Sequence, residues 1–375
     1  MKQAKLIHVV IGTRPEAIKM APVIKEIQSR PGFNVRVIAT GQHSDMLTQA
    51  LDYFSIRADV NLAIMKDRQS LDHITTSVME GAGRVFDEEK PDAVLVHGDT
   101  TTTFAAGIAA FYRKIPLGHV EAGLRSRNML LPFPEEMNRA LTDRLARWRF
   151  APTELSKENL LEEGTDPETV YVTGNTVVDA LFATINGGEG PKDESLSARL
   201  AGDKPFLLLT AHRRESWGEP MENICHALAD ILQKHPEYGA LIPMHKNPAV
   251  RQTMRDILGG NDRVILCDPL DYPDFVLALN SCALILSDSG GVQEEATALK
   301  KPLLILRDVT ERPEALERGS GLLVGTKRER IIATADELLS DKNAYERVRS
   351  KCEGNPFGDG RASVRIADIL SAALV

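Results

Sequence analysis

Apolar positions in this chain fall in short, nearly continuous runs, not in single alternation. In the front half these are Leu6 to Gly12, Val35 to Thr40, Ala93 to His97 and Ile115 to Val120. Between them, apolar residues recur at helical spacing up to about Arg30, through Leu51 and through Phe111. Continuous runs suit strands buried on both faces, so a βαβ series with a parallel sheet and right-handed crossovers is expected. The back half repeats the grammar over Phe206 to Thr210, Ala240 to Pro243, Val264 to Leu266, Ala283 to Leu286, Leu303 to Leu306 and Leu322 to Val324. Pro22 inside the first helical pattern predicts a kink or a late start. The stretch Asn186 to Lys204, opening NGGEGPKDES, reads as a linker or hinge. The expectation is an α/β protein of two Rossmann-like, doubly wound domains, about 1–180 and 181–355, facing a cleft that takes the ligand.

Composition narrows the class. A chain of 375 residues exceeds one comfortable core, and 43% hydrophobic with 26% charged content is that of a soluble globular protein. No apolar run reaches bilayer length, and MKQAKLIHVVIGTRPEA carries a strand-length run without a signal-peptide pattern, so a cytoplasmic location and no membrane partner are expected. Cys225, Cys267, Cys282 and Cys352 lie far apart, which suits reduced packing residues. A net charge of -8 argues against a nucleic-acid partner.

The polar clusters fall at strand ends, where open α/β sheets carry their chemistry. Gly12 to Lys19 follows the first strand and offers Arg14 and Lys19; Asp99 and Glu121 end two others. Asp99 also reads as a helix N-cap before the threonine run, and Glu121 needs a partner such as Arg125. PFPEEMNR reads as a helix start, with Glu135 pairing four residues on with Arg139. In the second half, TAHRRES brings His212 and Arg213 to a strand end, and IPMHKNP brings His245. DSGGVQEEA allows close backbone approach at Ser289, Gly290 and Gly291 before a helix, whose amides attract an anion; Glu294 and Glu295 would accept hydrogen bonds from hydroxyls on that ligand. The bland alternative is an ordinary N-cap with acidic residues favouring the helix dipole. TERPE adds Arg312 near Arg307. No GxGxxG, P-loop or HExxH occurs, so no NAD, P-loop nucleotide site or metal is expected; a nucleoside diphosphate carrying a further group fits best.

Taken in order, GTRPEAIKMAP, VLVHGDTTTT, GHVEAGLRS, PEEMNR, TAHRRES, DSGGVQEEA, TERPEA and NPFGDGRAS resemble the non-hydrolysing UDP-N-acetylglucosamine 2-epimerases. The resemblance implies the glycosyltransferase-B architecture, a last helix of about 356–375 returning to the first domain, and a homodimer. It implies interconversion of UDP-GlcNAc and UDP-ManNAc for surface polysaccharide synthesis, with no cofactor. Carried over residue by residue, Asp99, Glu121 and Glu135 match the acid/base carboxylates, and Arg14, Lys19 and His212 the groups that stabilise the departing diphosphate. Ser289, Gly290 and Gly291 match the phosphate turn, Glu295 the ribose ligand, Phe275 a uracil neighbour and Arg312 a further contact. Gln42, Arg68, Glu136, Arg213 and His245 match positions where a second UDP-GlcNAc binds as activator. QHSDM and NMLL depart from the common family pattern. A UDP-sugar-dependent glycosyltransferase and an epimerase for a modified UDP-GlcNAc stay open as alternatives.

Overall fold

The computed structural model describes residues 4–41, 44–66, 69–202 and 204–375. The chain divides into two compact units, Met1–Ala180 with Phe357–Val375, and Leu181–Pro356. Among the described residues, the first unit holds a seven-stranded parallel sheet of β1 (Lys5–Ile11), β2 (Phe33–Ala39), β3 (Val60–Asn61), β4 (Ala93–His97), β5 (Leu117–Val120), β6 (Trp148–Ala151) and β7 (Val170–Val172), in the order β3-β2-β1-β4-β5-β6-β7. The second unit holds a six-stranded parallel sheet of β8 (Phe206–Thr210), β9 (Gly239–Pro243), β10 (Val264–Cys267), β11 (Leu284–Ser287), β12 (Leu303–Ile305) and β13 (Gly321–Leu323), in the order β10-β9-β8-β11-β12-β13. Helices separate the strands throughout, as parallel neighbours require.

The unbroken apolar runs have a direct cause. Every position of β4, β8 and β11 is buried, because helices cover both faces of each sheet. In the first unit Val10, Ile38, Val94 and Val96 pack under Val78, Phe86 and Ala106. Ala105, Ala106, Ala109 and Ala110 are fully buried and let their helix lie close to the sheet. Truncating a core ring such as Phe86 to alanine costs about 3–5 kcal/mol. In the second unit Leu209 stands beside Leu286 in register, and Leu286 beside Leu304.

Two local expectations are corrected. The Asn186 to Lys204 stretch contains the helix Glu194–Ala201, capped by Asp193, whose Oδ1 accepts from Leu196 N at 3.0 Å. Leu196 is fully buried, so its burial turns part of a polar segment into packed structure. The first helix starts at Arg14 and continues to Ser29 through Pro22, so it has no late start; Val23, Ile24 and Ile27 are wholly buried and offset the lost hydrogen bond. The final helix, Ala362–Leu374, packs on that first helix. Asp179 caps it, accepting from Ala362 N at 3.1 Å and from Ser363 N and Oγ at 2.8 and 2.6 Å. Among the described residues no helix is long and apolar enough to cross a membrane.

Candidate active site

Each sheet reverses its winding once, between β1 and β4 and between β8 and β11. At such a switch point the loops leaving neighbouring strands diverge, which favours a ligand site at the strands' carboxyl ends. The polar clusters lie there. In the first unit Lys19 ion-pairs with Oε2 of Glu121, which also accepts from Asn175 Nδ2 at 2.8 Å and faces His97 Nε2 at 3.7 Å. Asp99 pairs with Arg139 Nη2 at 2.8 Å, and its backbone carbonyl accepts from Asn138 Nδ2 at 2.9 Å. Glu135 opens the helix Glu135–Leu145, and its Oε2 is buried without a hydrogen-bond partner among the described residues. A buried orphan carboxylate oxygen calls for a ligand, water or proton.

The backbone beneath these groups is strained and firmly held. Glu121 adopts φ +67°, a region costly for a residue with a side chain. Its neighbours over-determine it: Gly98 N donates to Val120 O at 2.9 Å and Ala122 N to Phe150 O at 3.1 Å. Gly123, at φ +86°, admits no side chain, since a Cβ would stand 2.2 Å from Ser156 O. Its N–H donates to Asp143 Oδ2 at 3.2 Å. Asp143 also contacts His119 Nδ1 at 2.6 Å and Arg125 at 2.8 Å, while His119 Nε2 reaches the Gly98 carbonyl at 2.7 Å. One buried His-Asp pair therefore braces the turns on either side of the acidic groups. Burial would raise the Asp143 carboxyl, but His119 and Arg125 outweigh it and hold it below its ordinary range.

Electrostatics separate the groups. Burial raises the Asp99 carboxyl; Arg139 pulls it back, and the nearby Glu121 and Glu135 charges push it further up. Burial pushes the His97 imidazole down to about 3, against the pull of Glu121, so His97 is neutral at physiological pH. Glu16, also buried, accepts from Gly12 N at 2.5 Å, from Thr13 N at 2.9 Å and from the Thr100 hydroxyl, tying the loop after β1 to the loop after β4.

In the second unit the helix Gly290–Ala298 starts at Ser289, whose side chain makes no capping bond, and its first turn carries no acidic residue. The first amides of a helix have no partner within it, so this terminus is suited to an anion. Asp288, fully buried, shapes the neighbouring loop by accepting from His212 N at 3.0 Å, Arg213 N at 2.9 Å and Ser216 Oγ at 2.9 Å. The His212 ring is 46% exposed, with Nδ1 3.3 Å from Asp288, and stacks on His245 at 6.2 Å between centroids. Burial lowers its pKa, with Asp288 opposing and Arg213 and His245 reinforcing. Arg312 pairs with buried Glu294 at 2.5 Å and with Glu311 at 3.3 Å; Glu311 also meets Arg307 at 2.7 Å and Arg213 at 3.4 Å.

The structure thus brings Lys19, Asp99, Glu121 and Glu135 together in one unit, and His212, Arg213, His245, Ser289, Gly290, Gly291 and Arg312 in the other. Arg14 opens the first helix and makes no ion pair among the described residues. Phe275 is half-buried against the second unit's core, and Glu295 is buried in the Gly290–Ala298 helix. The buried Glu136 carboxylate accepts from Ser126 N and Arg127 N, both at 2.9 Å. Gln42 and Arg68 lie outside the described residues. A cavity of about 460 Å³, lined by Leu47, Leu51 and Ile56 at the β2–β3 edge, includes none of the acidic groups above.

Several local readings are overturned. Arg125 does not serve Glu121; it binds Asp143 and Glu163. Arg139 pairs with Asp99 and Glu136 instead of the Glu135 side chain. The N-cap is Thr100, not Asp99, and Glu294 lies beyond the first turn of its helix, paired with Arg312. Sequence reasoning missed Asn175 and Asp143, and it gave no role to Asp288 and Glu311 although both lie inside the DSGGVQEEA and TERPE clusters.

Two Rossmann-like units, each with its polar groups at a switch point, define an α/β protein of the glycosyltransferase-B class. Residues 25–371 match the family model described as UDP-N-acetylglucosamine 2-epimerase. The UDP-N-acetylglucosamine 2-epimerase of Yersinia pestis is 49% identical over 366 residues, covering 96% of this chain and 97% of the relative. That of Escherichia coli K12 is 48% identical over 368 residues, with coverage of 96% and 97%. The crystal structure of UDP-GlcNAc 2-epimerase from Neisseria meningitidis bound to UDP-GlcNAc superposes with a TM-score of 0.89 at 46% identity, covering 98% of this chain and 100% of that one. The chain belongs to the UDP-N-acetylglucosamine 2-epimerase family, and is an epimerase, an isomerase by reaction class.

Proposed function

We propose that this protein interconverts UDP-GlcNAc and UDP-ManNAc by eliminating and re-adding UDP. The observation that carries the reading is the grouping of Asp99, Glu121 and Glu135 at the carboxyl ends of β4 and β5, with contrasting surroundings. The proton on carbon 2 of an acetamido sugar is not alpha to a carbonyl, so a side chain near neutral pKa needs help to remove it. Loss of UDP supplies that help. As a base takes the carbon 2 proton, its electron pair forms a carbon 1–carbon 2 double bond and the carbon 1–oxygen bond breaks with its electrons going to UDP. Protonation of carbon 2 from the opposite face and return of the UDP oxygen to carbon 1 give the epimer.

The roles follow from environment. Lys19 and Asn175 favour the charged form of Glu121, which suits a base, whereas burial favours the protonated form of Asp99, which suits an acid. Reversibility exchanges these roles in the other direction. Glu135, with its orphan oxygen, stands beside Asp99 as the third acid/base group. The Ser289-Gly290-Gly291 terminus and Arg312 take the diphosphate, Glu295 the ribose and Phe275 the base, while His212 and Arg14 stabilise the leaving group. Arg213 and His245, adjacent to His212, are assigned to an activating second UDP-GlcNAc. The family resemblance supports a product used for cell-surface polysaccharide. The exposed apolar side chains Phe111, Tyr112 and Leu141 support a homodimer.

The test is proton NMR of the protein with UDP-GlcNAc in heavy water. UDP-ManNAc carrying deuterium at carbon 2 is expected, and Glu121→Gln should abolish its appearance while UDP still binds. An unchanged sugar spectrum with bound nucleotide overturns the reading.

A further inference from the structure

Asn175 precedes the helix Thr176–Gly187, and its side chain makes hydrogen bonds at both its oxygen and its nitrogen. Its Oδ1 accepts from Val177 N at 3.0 Å, which caps the helix; its Nδ2 donates to Glu121 Oε2 at 2.8 Å, across 54 residues. Its backbone N–H donates to Phe357 O at 2.7 Å, at the point where the chain re-enters the first unit. The backbones are in close contact there, since a Cβ on Gly358 would stand 3.0 Å from the Gly174 Cα. The amide is therefore anchored on the helix, on the returning segment and on the carboxylate. Lys19 reaches the same Glu121 oxygen, but a lysine on a flexible stem supplies charge and little direction.

Resting on the reading that Glu121 handles the carbon 2 proton, we infer that Asn175 is a positioning residue for that transfer. Its amide aims the Glu121 carboxylate and stabilises its charged form. The left-handed backbone of Glu121 sets where the side chain begins, and Asn175 sets where its end lies. Among the described residues, the titratable and charged groups facing this carboxylate include Lys19 on the first helix, and His97 and Asp99 at the end of β4. Behind them stand His119 on β5, and Glu135 and Arg139 on the Glu135–Leu145 helix.

Asn175→Ser and Asn175→Asp both keep an oxygen that can cap Val177, so the helix start survives in each. Serine is too short to reach Glu121; aspartate replaces the donor with a like charge. Each donor to a carboxylate is worth about one pH unit, so the acid limb of the kcat/KM profile should rise by about one unit in Asn175→Ser. It should rise further in Asn175→Asp. UDP affinity should stay within about twofold of wild type, since the contacts described for Asn175 go to Glu121, Val177 and Phe357, and none of these is assigned to UDP. Following deuterium incorporation at carbon 2 gives a profile even for slow variants. Acid limbs at the wild-type pH in both variants overturn the inference, whatever the loss in rate. Glu121→Gln is measured alongside: if it turns over normally, the underlying acid/base reading has failed. If it is inactive while the Asn175 limbs stay put, only the positioning role has failed.

Discussion

Replacing Gly291 with alanine should move stability and ligand binding in opposite directions. Gly291 is the second residue of the helix Gly290–Ala298, and a Cβ built there meets no atom within 4 Å. Its φ lies outside the left-handed region, so alanine carries no backbone strain. Folding alone therefore favours the alanine, by about 0.5–1 kcal/mol of lost unfolded-state freedom and improved helix propensity. For units of this size that is a rise of about 1–3 °C in melting temperature. An anion at this terminus needs its oxygens near 2.9 Å from the amides, and a methyl on the approach displaces them. Losing one charge-assisted bond costs about 1.5–3 kcal/mol, or about 10- to 100-fold in Kd for UDP. Scanning calorimetry without ligand and titration calorimetry with UDP measure the two effects. Gly290→Ala is the contrasting variant: its Cβ would stand 2.6 Å from Arg312 Nη1, so Arg312 must shift and both stability and affinity should fall. A Kd within twofold of wild type for Gly291→Ala would refute the phosphate-turn reasoning, and a lowered melting temperature would refute the packing argument.

Glu311 makes a pH-dependent contribution. Burial raises its carboxyl, but Arg312 and Arg307 outweigh this and hold it at about 2, against about 4.3 in an unfolded chain. A gap of about two units at about 1.4 kcal/mol each is about 3 kcal/mol of stability, present above pH ~4.3 and lost as pH falls through about 2. Glu311→Gln should be less stable than wild type near neutrality, with the difference shrinking toward pH 2 in urea melts; a difference independent of pH contradicts the assignment. His97 acts through the opposite charge type. Its pKa of about 3, against about 6.5 unfolded, means the unfolded chain binds a proton that the native state refuses, so stability falls as pH drops through that window. His97→Gln should flatten the slope between those limits, and an unchanged slope would show that another group carries it. The thiols of Cys225, Cys267 and Cys282 are pushed up to about 12 by burial, so they should resist iodoacetamide in the folded protein and react on denaturation. Rapid native labelling at any of the three would show that its site opens.

The parallel α/β architecture was legible in the sequence because burial on both faces leaves its record residue by residue. The continuous runs at Ala93 to His97, Phe206 to Thr210 and Leu284 to Leu286 are strands in the structure. The polar clusters could be placed at strand ends for the same local reason, and Ser289-Gly290-Gly291 does begin a helix. Partnership was not legible. Glu121 was expected to pair with Arg125 four positions away, yet Lys19 comes from 102 residues away and Asn175 from 54, while Arg125 turns to Asp143 and Glu163. Asp99 finds Arg139 on a helix that local spacing had paired with Glu135. Spacing along the chain reports only what a helix or strand places side by side. A buried charge is governed by whichever opposite charge the sheet order brings within hydrogen-bond reach, and that order exists only once the strands have assembled.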